Sequence, residues 1–392
     1  MMLWEMVALE KIASIERSVV QPEVIEHGTA YLGLEHIEAG GRILGKQYVE
    51  EGELSSAKFL FTARHLLFGK LRPYLAKIAL PDFDGICSTD ILPVLPSDSL
   101  DRRYLAFFLR QPSLVDYTNS RAIGANLPRL SPSELGRITI PLPPIEEQKR
   151  IAAILDAVDA LRVKRRESIA QLDALLQSTF LDMFSEPDAM EWPKALIENV
   201  VLEGKGAIRT GPFGSQLLHS EFVEEGIRVL GIDNVVNNTF LEGEPRFITS
   251  EKYKSLRRYT VRPGDVLITI MGTCGRCAIV PEALGIAINT KHLCCISLNQ
   301  EKVLPLFLHA CFLWHPLARR YLERSAKGAI MSGLNMEIIK KVPIPLPPLS
   351  LQRRFASIVE AAERQKARLR AHLDELDALF SSLQSRAFNG EL

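Results

Sequence analysis

The sequence predicts an α+β protein made of two similar halves, each with a mixed α/β front followed by a long helix. Three observations predict this: the length of the chain, a proline-rich phrase that occurs twice, and a long amphipathic pattern after each copy. The 392 residues suit two or three domains at roughly 150 residues each. The apolar fraction of 47% and the charged fraction of 24% are ordinary for a globular protein.

The composition excludes several broad classes of protein. Basic and acidic side chains balance at 47 each, so binding of a polyanion has to depend on local clusters of charge. No apolar run reaches the ~20 residues of a membrane helix. The first residues also lack the basic stretch and apolar core of a signal peptide. We therefore expect a cytoplasmic protein that does not enter a membrane.

The six cysteines are too sparse for a disulfide scaffold. Cys274 and Cys277 have the spacing of a zinc knuckle, and Cys294 and Cys295 follow. Adjacent cysteines rarely both reach one tetrahedral metal. We therefore expect no metal site and interpret these residues as reduced cysteines in the strands of a core.

The internal repeat spans half of the chain. The phrase Ile-Pro-Leu-Pro-Pro begins at Ile140 and again at Ile344, a shift of 204 positions. Toward the N-terminus the shift falls to 200 and then to 198, where Gly33 matches Gly231. The repeat predicts front domains at 1–144 and 188–348 and helical segments at 145–187 and 349–392. The helical segments match better than the fronts, which favours two readers of different things on one shared frame.

The segment after each phrase predicts a long helix. Prolines end the extended phrase before Ile145, and from Ile151 apolar residues recur every three or four positions. The pattern continues for ~39 residues, or ~58 Å of helix, which is typical of a coiled coil. We expect the two helices to pair, since each needs a partner for its apolar stripe; the alternative is that each packs only on its own domain. The predicted seam consists of Ile154, Val158, Leu172, Leu175, Ile358, Leu369, Leu376 and Leu379.

The fronts combine strand-like runs, such as 266–270, with glycine and proline turns and short apolar helices. They contain no phosphate-binding loop, dinucleotide fingerprint, base-flipping methyltransferase motif or hydrolase motif. Pro187 and Asp188, with Glu191 and Lys194, loosely mimic a nuclease metal site. Their place at a domain junction favours a chance match, so no catalytic residue is predicted.

Basic residues are clustered locally. The stretch 54–81 contains lysine and arginine but no acid, and basic residues also gather at 252–276 and 319–327. Such clusters supply phosphate contacts, and arginine also binds guanine edges in the major groove. A solvated surface is the alternative for any one cluster, but clusters at corresponding places in two repeats favour DNA.

The order of these motifs resembles the specificity subunit of Type I restriction-modification systems. Residues 140–151 and 344–355 are similar to the boundary signature of that family, and 67–74 and 210–215 are similar to motifs of its recognition domains. The resemblance covers essentially the whole chain. One departure is the lack of an acidic residue before Gln352, which concerns a local contact near the start of the second helix.

The resemblance implies two target-recognition domains, each reading one half of a bipartite target in double-stranded DNA. It implies that the two helices form an antiparallel coiled-coil spacer with pseudo-twofold symmetry. It also implies a non-catalytic chain that binds no cofactor directly. Two methylation subunits bring S-adenosylmethionine and methylate adenines, and a restriction or translocase subunit is an optional further partner.

Candidate DNA contacts can then be assigned to each reader. They are Lys70, Arg72 and Arg129 in the first, and Arg209, Gln216, Arg276 and Lys327 in the second. Two rival functions stay open at this point. An autonomous DNA methyltransferase or nuclease is disfavoured by the missing motifs, and a structural coiled-coil adaptor would bind no DNA sequence preferentially.

Overall fold

The computed structural model describes residues 4–50, 52–185, 192–327 and 333–392. The chain divides into two compact units that are interleaved along the sequence. Unit 1 comprises Met1–Glu167 and Arg370–Leu392, and unit 2 comprises Ser168–Leu369. The predicted junction at 187–188 lies outside the described residues, as do Pro187, Asp188 and Glu191 of the nuclease-like match.

Unit 1 is a mixed α/β unit built on two sheets and a short ribbon. The sheets have the strand orders β2–β10–β7–β8 and β3–β6–β9–β4–β5, and β1 pairs with β11. The strands are β1 (Met6–Ala8), β2 (Ala13–Ile15), β3 (Val19–Val20), β4 (Ala30–Leu32), β5 (Gln47–Tyr48), β6 (Lys58–Phe61), β7 (Leu66–Gly69), β8 (Ile78–Ala79), β9 (Gly85–Cys87), β10 (Ile91–Pro96) and β11 (Thr139–Pro141). The helices that begin in this unit are α1 (Leu9–Ile12), α2 (Arg102–Leu109), α3 (Pro112–Ser120), α4 (Pro132–Gly136) and α5 (Ile145–Phe184).

Unit 2 contains sheets of order β13–β22–β19–β20 and β17–β14–β21–β18, with ribbons β12·β23 and β15·β16. Its strands are β12 (Lys194–Leu196), β13 (Ile208–Thr210), β14 (Ile227–Leu230), β15 (Val235–Val236), β16 (Thr239–Phe240), β17 (Phe247–Ile248), β18 (Thr260–Val261), β19 (Val266–Thr269), β20 (Cys277–Ile279), β21 (Ala287–Asn289), β22 (Leu293–Ile296) and β23 (Pro343–Pro345). The helices that begin in this unit are α6 (Ser250–Leu256), α7 (Pro305–Trp314), α8 (Pro316–Lys327), α9 (Met336–Lys340) and α10 (Leu349–Phe388).

The sheets confirm the predicted repeat. The order β2–β10–β7–β8 corresponds to β13–β22–β19–β20, and β6–β9–β4–β5 corresponds to β18–β21–β14–β17. Both second sheets contain a parallel pair, β4·β9 in one and β14·β21 in the other, while their other pairs are antiparallel. The ribbons agree to the residue, because Met6 pairs with Pro141 and Lys194 pairs with Pro345. Each unit therefore contains one copy of the same α/β frame.

A buried glutamine fixes the start of each long helix. The Gln148 side chain donates to the carbonyls of Pro143 (2.8 Å) and Ser99 and accepts from the amide of Asp101 (2.8 Å). The Gln352 side chain donates to the carbonyls of Pro347 and Lys302 and accepts from the amide of Leu304. The glutamine contacts are thus the same at both helix starts, although Leu351 stands where Glu147 binds Arg150 in unit 1.

Within each unit the long helices run antiparallel. In unit 1, Arg150 donates to the carbonyl of Leu392 (2.9 Å) and Arg162 donates to Asp377, so later residues of α5 meet earlier residues of α10. In unit 2, Lys366 donates to Asp173 (2.6 Å). Farther along α5, Phe180 contacts Phe355, with ring centroids 5.3 Å apart. The predicted pairing of the helices is therefore confirmed.

Each helix also packs on the frame of its own unit. In unit 1 the front of α5 enters the core through Ile151, Ala152 and Leu155, beside Leu105 and Phe108 of α2. In unit 2 the front of α10 does the same through Phe355, beside Phe307 of α7. The alternative, that each helix packs only on its own domain, is therefore wrong, because each helix packs both on the frame and against the other helix.

Two of the predicted seam residues are corrected by the structure. Val158 and Leu369 are buried, and Ile154, Leu172, Ile358 and Leu376 are half-buried. Leu175 and Leu379, however, are 54% and 46% exposed. The reason is that neighbouring helical residues point ~100° apart, and Leu176 and Phe380 take the inward positions.

In the described parts of the chain, we find no helix with both the length and the hydropathy that crossing a bilayer requires.

Candidate nucleic-acid interface

Several predicted contacts lie on one hairpin loop that both units contain. In unit 1 this loop covers residues 70–77, between β7 and β8, and it carries Lys70 and Arg72. In unit 2 it covers residues 270–276, between β19 and β20, and it carries Arg276. The amide of Leu130 donates to the carbonyl of Lys70, and the amide of Leu334 to that of Ile270, both at 2.9 Å. The segment before α4 or α9 therefore supports each loop in the same way.

The three candidates of unit 1 lie together. The amide of Arg72 donates to the carbonyl of Pro128 (2.8 Å), and Arg129 forms an antiparallel bridge with Leu71. The Arg129 guanidinium is already occupied, because it binds Asp90 through two hydrogen bonds of 2.8 and 3.1 Å. These hydrogen bonds raise the pKa of Arg129 and neutralise Asp90. Among the described residues, the side chains of Lys70 and Arg72 in this loop have neither a hydrogen bond nor an ion pair.

Two other basic residues of the 54–81 stretch, Lys58 and Lys77, turn inward, whereas Arg64 is exposed. Lys58 is 5% exposed, and its ammonium donates to the carbonyl of Ser56. Burial lowers the pKa of Lys58. The ammonium of Lys77 donates to the carbonyl of Leu34 (2.7 Å). The basic surface of unit 1 is therefore smaller than the count of charges suggested.

Arg209 lies inside unit 2. Its guanidinium donates to Asp265 Oδ2 (2.7 Å), Ser297 Oγ (2.9 Å) and the carbonyls of Thr260 and Gly206. The side chain is 10% exposed and that of Asp265 is 6% exposed. A buried, hydrogen-bonded ion pair of this kind fixes neighbouring segments. The geometry therefore favours a structural role for Arg209 over a contact with DNA.

The other candidates of unit 2 are spread over separate elements. Gln216 is exposed and accepts a hydrogen bond from the Tyr259 hydroxyl (2.7 Å). Arg276 is exposed, and its main chain exchanges hydrogen bonds with Thr269. Lys327 ends α8, and its side chain lies outside the described residues. Among the described side chains, Gln216 and Arg276 thus share no hydrogen bond or ion pair, unlike the linked segments that carry Lys70, Arg72 and Arg129.

Two neighbouring features escaped the sequence analysis. Beside the loop of unit 1, Ile123 is 80% exposed and pairs with Arg129 across a tight turn; the Gly124 and Pro128 turn signals could have indicated it. Beside the loop of unit 2 lies a groove of about 780 Å³ that includes Phe222, Ile232 and His292. These groove residues come from distant parts of the chain, and no local pattern connects them.

The cysteines form no ligand set. Cys277, Cys294 and Cys295 are buried in β20 and β22, which confirms the interpretation of these residues as core cysteines. Burial raises the pKa of Cys294 to about 12, so its thiol stays protonated and is a poor metal ligand. Within the described ranges, no group of three histidine, cysteine, aspartate or glutamate side chains is placed to hold a metal.

Comparisons with known proteins agree with this frame. A family model described as Type I restriction modification DNA specificity domain matches residues 2–173 and 223–376. The EcoDI specificity subunit of Escherichia coli is 26% identical over 194 residues, 48% of this chain and 43% of that protein. The EcoBI specificity subunit of Escherichia coli is 24% identical over 329 residues, 75% of this chain and 66% of that protein. The chain thus spans less than two thirds of the length of these two relatives.

Solved structures share the fold along the whole chain. The S subunit of a Type I restriction-modification system from M. genitalium matches with a TM-score of 0.60 and 14% identity, over 98% of this chain and 96% of that one. A chain from a study of assembly and conformational transition in a type I R-M system matches with a TM-score of 0.61 and 21% identity, over 100% and 99%. Since the family model covers most of the sequence in two blocks, the chain belongs to the Type I restriction-modification DNA specificity family.

Proposed function

We propose that this chain is the sequence-specificity subunit of a Type I restriction-modification complex and that each unit reads one half of a bipartite target in double-stranded DNA. The observation that carries the proposal is the doubled frame, in which equivalent hairpin loops carry different side chains. Two readers on one frame suit a target with two dissimilar half-sites. The names of the relatives support the same role.

The proposal assigns the chemistry to partner subunits. Two methylation subunits supply S-adenosylmethionine and methylate adenines, while this chain binds no cofactor and is not itself an enzyme. A restriction or translocase subunit is a further optional partner. We assign the spacer role to α5 and α10, since two continuous helices of 40 residues each measure ~60 Å, longer than the ~34 Å between half-sites one DNA turn apart.

Mapping of methylated adenines tests this proposal. The gene for this chain would be expressed with its methylation subunits, and modified adenines would be located across the host genome. We expect one recurring sequence with two short half-sites separated by a fixed gap of unread bases. Modified sites with a single contiguous motif, or none that depend on this chain, would contradict the proposal.

A second experiment separates the proposal from its rivals. The purified chain alone, incubated with DNA and S-adenosylmethionine, should transfer no methyl group, whereas the assembled complex should. Methyl transfer by the chain alone would indicate an autonomous enzyme. In a competition gel, equal displacement of a labelled target duplex from the complex by unlabelled target and scrambled duplexes would indicate a structural adaptor.

A further inference from the structure

The two hairpin loops require the same backbone geometry at equivalent positions. Arg72 (φ +50°) and Ala76 (φ +47°) adopt left-handed conformations in unit 1. Gly272 (φ +74°) and Gly275 (φ +86°) adopt them in unit 2. Leu67 pairs with Ala79 and Leu267 with Ala278, so the second loop is one residue shorter. Counted from the first strand of each hairpin, Arg72 matches Gly272, and counted back from the second strand, Ala76 matches Gly275. Glycine adopts this conformation without strain, whereas a residue with a Cβ atom is strained in it.

Among the described residues, the Arg72 side chain makes no contact that would explain why a strained backbone conformation is kept here. Arg72 is exposed, and within the described ranges its guanidinium has no hydrogen bond, ion pair or ring contact. Its amide donates to the carbonyl of Pro128 (2.8 Å), a contact that glycine would make equally well. Strained residues with no internal role are typical of functional sites.

The loops differ in which end exposes a guanidinium. In unit 1 the free guanidinium is at position 72, while Lys77, at the other end, donates to the carbonyl of Leu34. In unit 2 glycine stands at 272, and the residue equivalent to Lys77 is Arg276. The match is set by the backbone, because Gly69 donates to the carbonyl of Lys77 and Thr269 to that of Arg276, both at 2.8 Å. Arg276 is exposed, and in the described part of the chain its guanidinium has no hydrogen bond or ion pair either.

The charge within both loops suits a polyanion. Residues 70–77 and 270–276 contain no aspartate or glutamate. The nearby carboxylate of Asp90 is neutralised by Arg129. An arginine on an acid-free loop can bind a phosphate or, in the major groove, fork onto a guanine.

We infer that this hairpin loop is the DNA-contacting element of each unit and that the two units contact DNA from opposite ends of it, through Arg72 in unit 1 and Arg276 in unit 2. This inference rests on the proposed function and deepens it. An arginine is retained at this strained position because its guanidinium contacts the DNA duplex. Unit 2 places its arginine where no left-handed conformation is required.

The test uses Arg72→Gly in the complete complex with its methylation subunits. Glycine adopts the left-handed backbone without strain, so the loop should fold and the midpoint of thermal unfolding should stay the same or rise. We expect the affinity for a target duplex, found by methylation mapping, to fall about tenfold or more. Ala76→Gly is the matched control, since it makes the same backbone change in the same loop and should leave affinity unchanged.

Arg276→Gln tests the second loop, with Lys254→Gln as its control because Lys254 is exposed and already paired with Glu251 (2.8 Å). If the guanidinium binds a base edge, its removal should reduce discrimination at one base pair, and the two variants should lose discrimination in different half-sites. If the guanidinium binds a phosphate, its removal should weaken binding to all duplexes alike and reduce the slope of log affinity against log salt concentration by about one. Either result supports a DNA contact.

Two results would overturn the inference. The first is unchanged DNA affinity and salt dependence in Arg72→Gly and Arg276→Gln. The second is loss of methylation subunits from the complex with DNA affinity retained by what remains, which would make the loop a subunit contact. A wild-type complex that binds target and scrambled duplexes equally would instead defeat the proposed function, so the two failures can be told apart.

Discussion

The same turn, just before β7 in unit 1 and β19 in unit 2, is held by a histidine in one unit and by an aspartate in the other. In unit 1 the amide of Thr62 donates to His65 Nδ1 (2.9 Å), and in unit 2 the amide of Arg262 donates to Asp265 Oδ2 (2.9 Å). His65 then reaches Glu16 (3.0 Å), whereas Asp265 binds Arg209. The turn has kept its geometry, although the side chain that accepts the turn amide is an imidazole in unit 1 and a carboxylate in unit 2, and its own partner is a glutamate in unit 1 and an arginine in unit 2.

This comparison shows how to separate structural charges from functional ones. A charged residue whose equivalent in the other unit is also paired, such as Asp265 or Arg209, belongs to the frame. Arg72 differs, because its equivalent is glycine and its own side chain has no partner within the described ranges. The predictions below test whether the two units can be perturbed separately.

The largest effect is expected from proline in the long helices. Leu172→Pro falls in the part of α5 that belongs to unit 2, and Leu376→Pro, 204 positions later, falls in the part of α10 that belongs to unit 1. Each should cost ~3 kcal/mol or more, because proline removes a backbone hydrogen bond and clashes with the preceding turn. Hydrogen exchange should show the loss of protection mainly in the unit concerned.

The same proline variants should fail to co-purify with methylation subunits. Leu172→Ala is the control, since it keeps the helix and removes only a half-buried side chain. Normal assembly of Leu172→Pro would contradict the role of the helices as a spacer.

A large effect is also expected from Asp265→Ala. It leaves the buried guanidinium of Arg209 without its carboxylate, which should lower the free energy of unfolding of unit 2 by ~3–5 kcal/mol. The equivalent change in unit 1, Glu16→Ala, should cost less, about 1–2 kcal/mol, because it leaves a ring nitrogen of His65 without a partner rather than a buried guanidinium, and the Glu16 side chain is 36% exposed. Urea unfolding followed by hydrogen exchange of β19 and β7 would measure both. Equal effects would refute the distinction.

Acid should weaken unit 2 through a buried histidine. Burial lowers the pKa of His309 below its ordinary value of 6.5, and its Nε2 donates to the carbonyl of Asn238 (3.0 Å). A lowered folded-state pKa gives stability that is complete above about pH 6.5 and is lost progressively below it. We expect the unfolding free energy of unit 2 to fall between pH 6.5 and 5.

The control is His309→Gln, which keeps an N–H donor but cannot titrate. Its stability should depend less steeply on pH over that range, as measured by urea unfolding at several pH values. At the equivalent position unit 1 has Ala106, 203 positions earlier, by the shift that relates Asp101 to Leu304. An unchanged pH slope would exclude His309 as the titrating group.

The smallest effect is expected from Lys366→Met in the helix pair of unit 2. The ammonium binds Asp173 and Glu363, both at 2.6 Å, but these acids are 59% and 47% exposed. Burial alone would lower the pKa of Lys366, and the two hydrogen bonds raise it overall. Because methionine keeps the buried stem, we expect a loss of at most ~1 kcal/mol in urea unfolding.

The corresponding change in unit 1, Arg162→Met, should cost more. Arg162 binds Asp159 and Asp377, and its guanidinium carbon also lies 4.4 Å from the centroid of the Phe380 ring, a cation–π contact that Lys366 lacks among the described contacts. A larger loss from Lys366→Met than from Arg162→Met would contradict this ranking.

The parts of the fold that follow local rules could be predicted from the sequence. The prolines before Ile145 and Leu349 exclude a helix up to that point, but proline is favoured at a helix start, so the beginnings of both long helices were predictable. The strand orders were not, because strands of two to six residues pair with partners far along the chain. An example is the parallel pair of Tyr31 with Ile86.

The candidate site was predictable only in part, since a count of charges does not show which of them find partners inside the protein. Lys70, Arg72 and Arg276 lie on equivalent loops, but Arg209 meets Asp265, 56 positions away. The match of Arg72 with Gly272 was present in the sequence from the start. Its meaning became clear only from the positive φ angles.

The interleaving of the units has a consequence for biosynthesis. Unit 2 is one continuous stretch, whereas unit 1 requires Arg370–Leu392, which contribute the buried Ala387 and a hydrogen bond from Gln384 to the carbonyl of Phe107 (2.9 Å). The ribosome makes most of unit 1 first, yet the unit can close only after unit 2 has been translated. We therefore expect part of the unit 1 core to stay exposed, and accessible to chaperones, during synthesis, and unit 2 to complete its folding first.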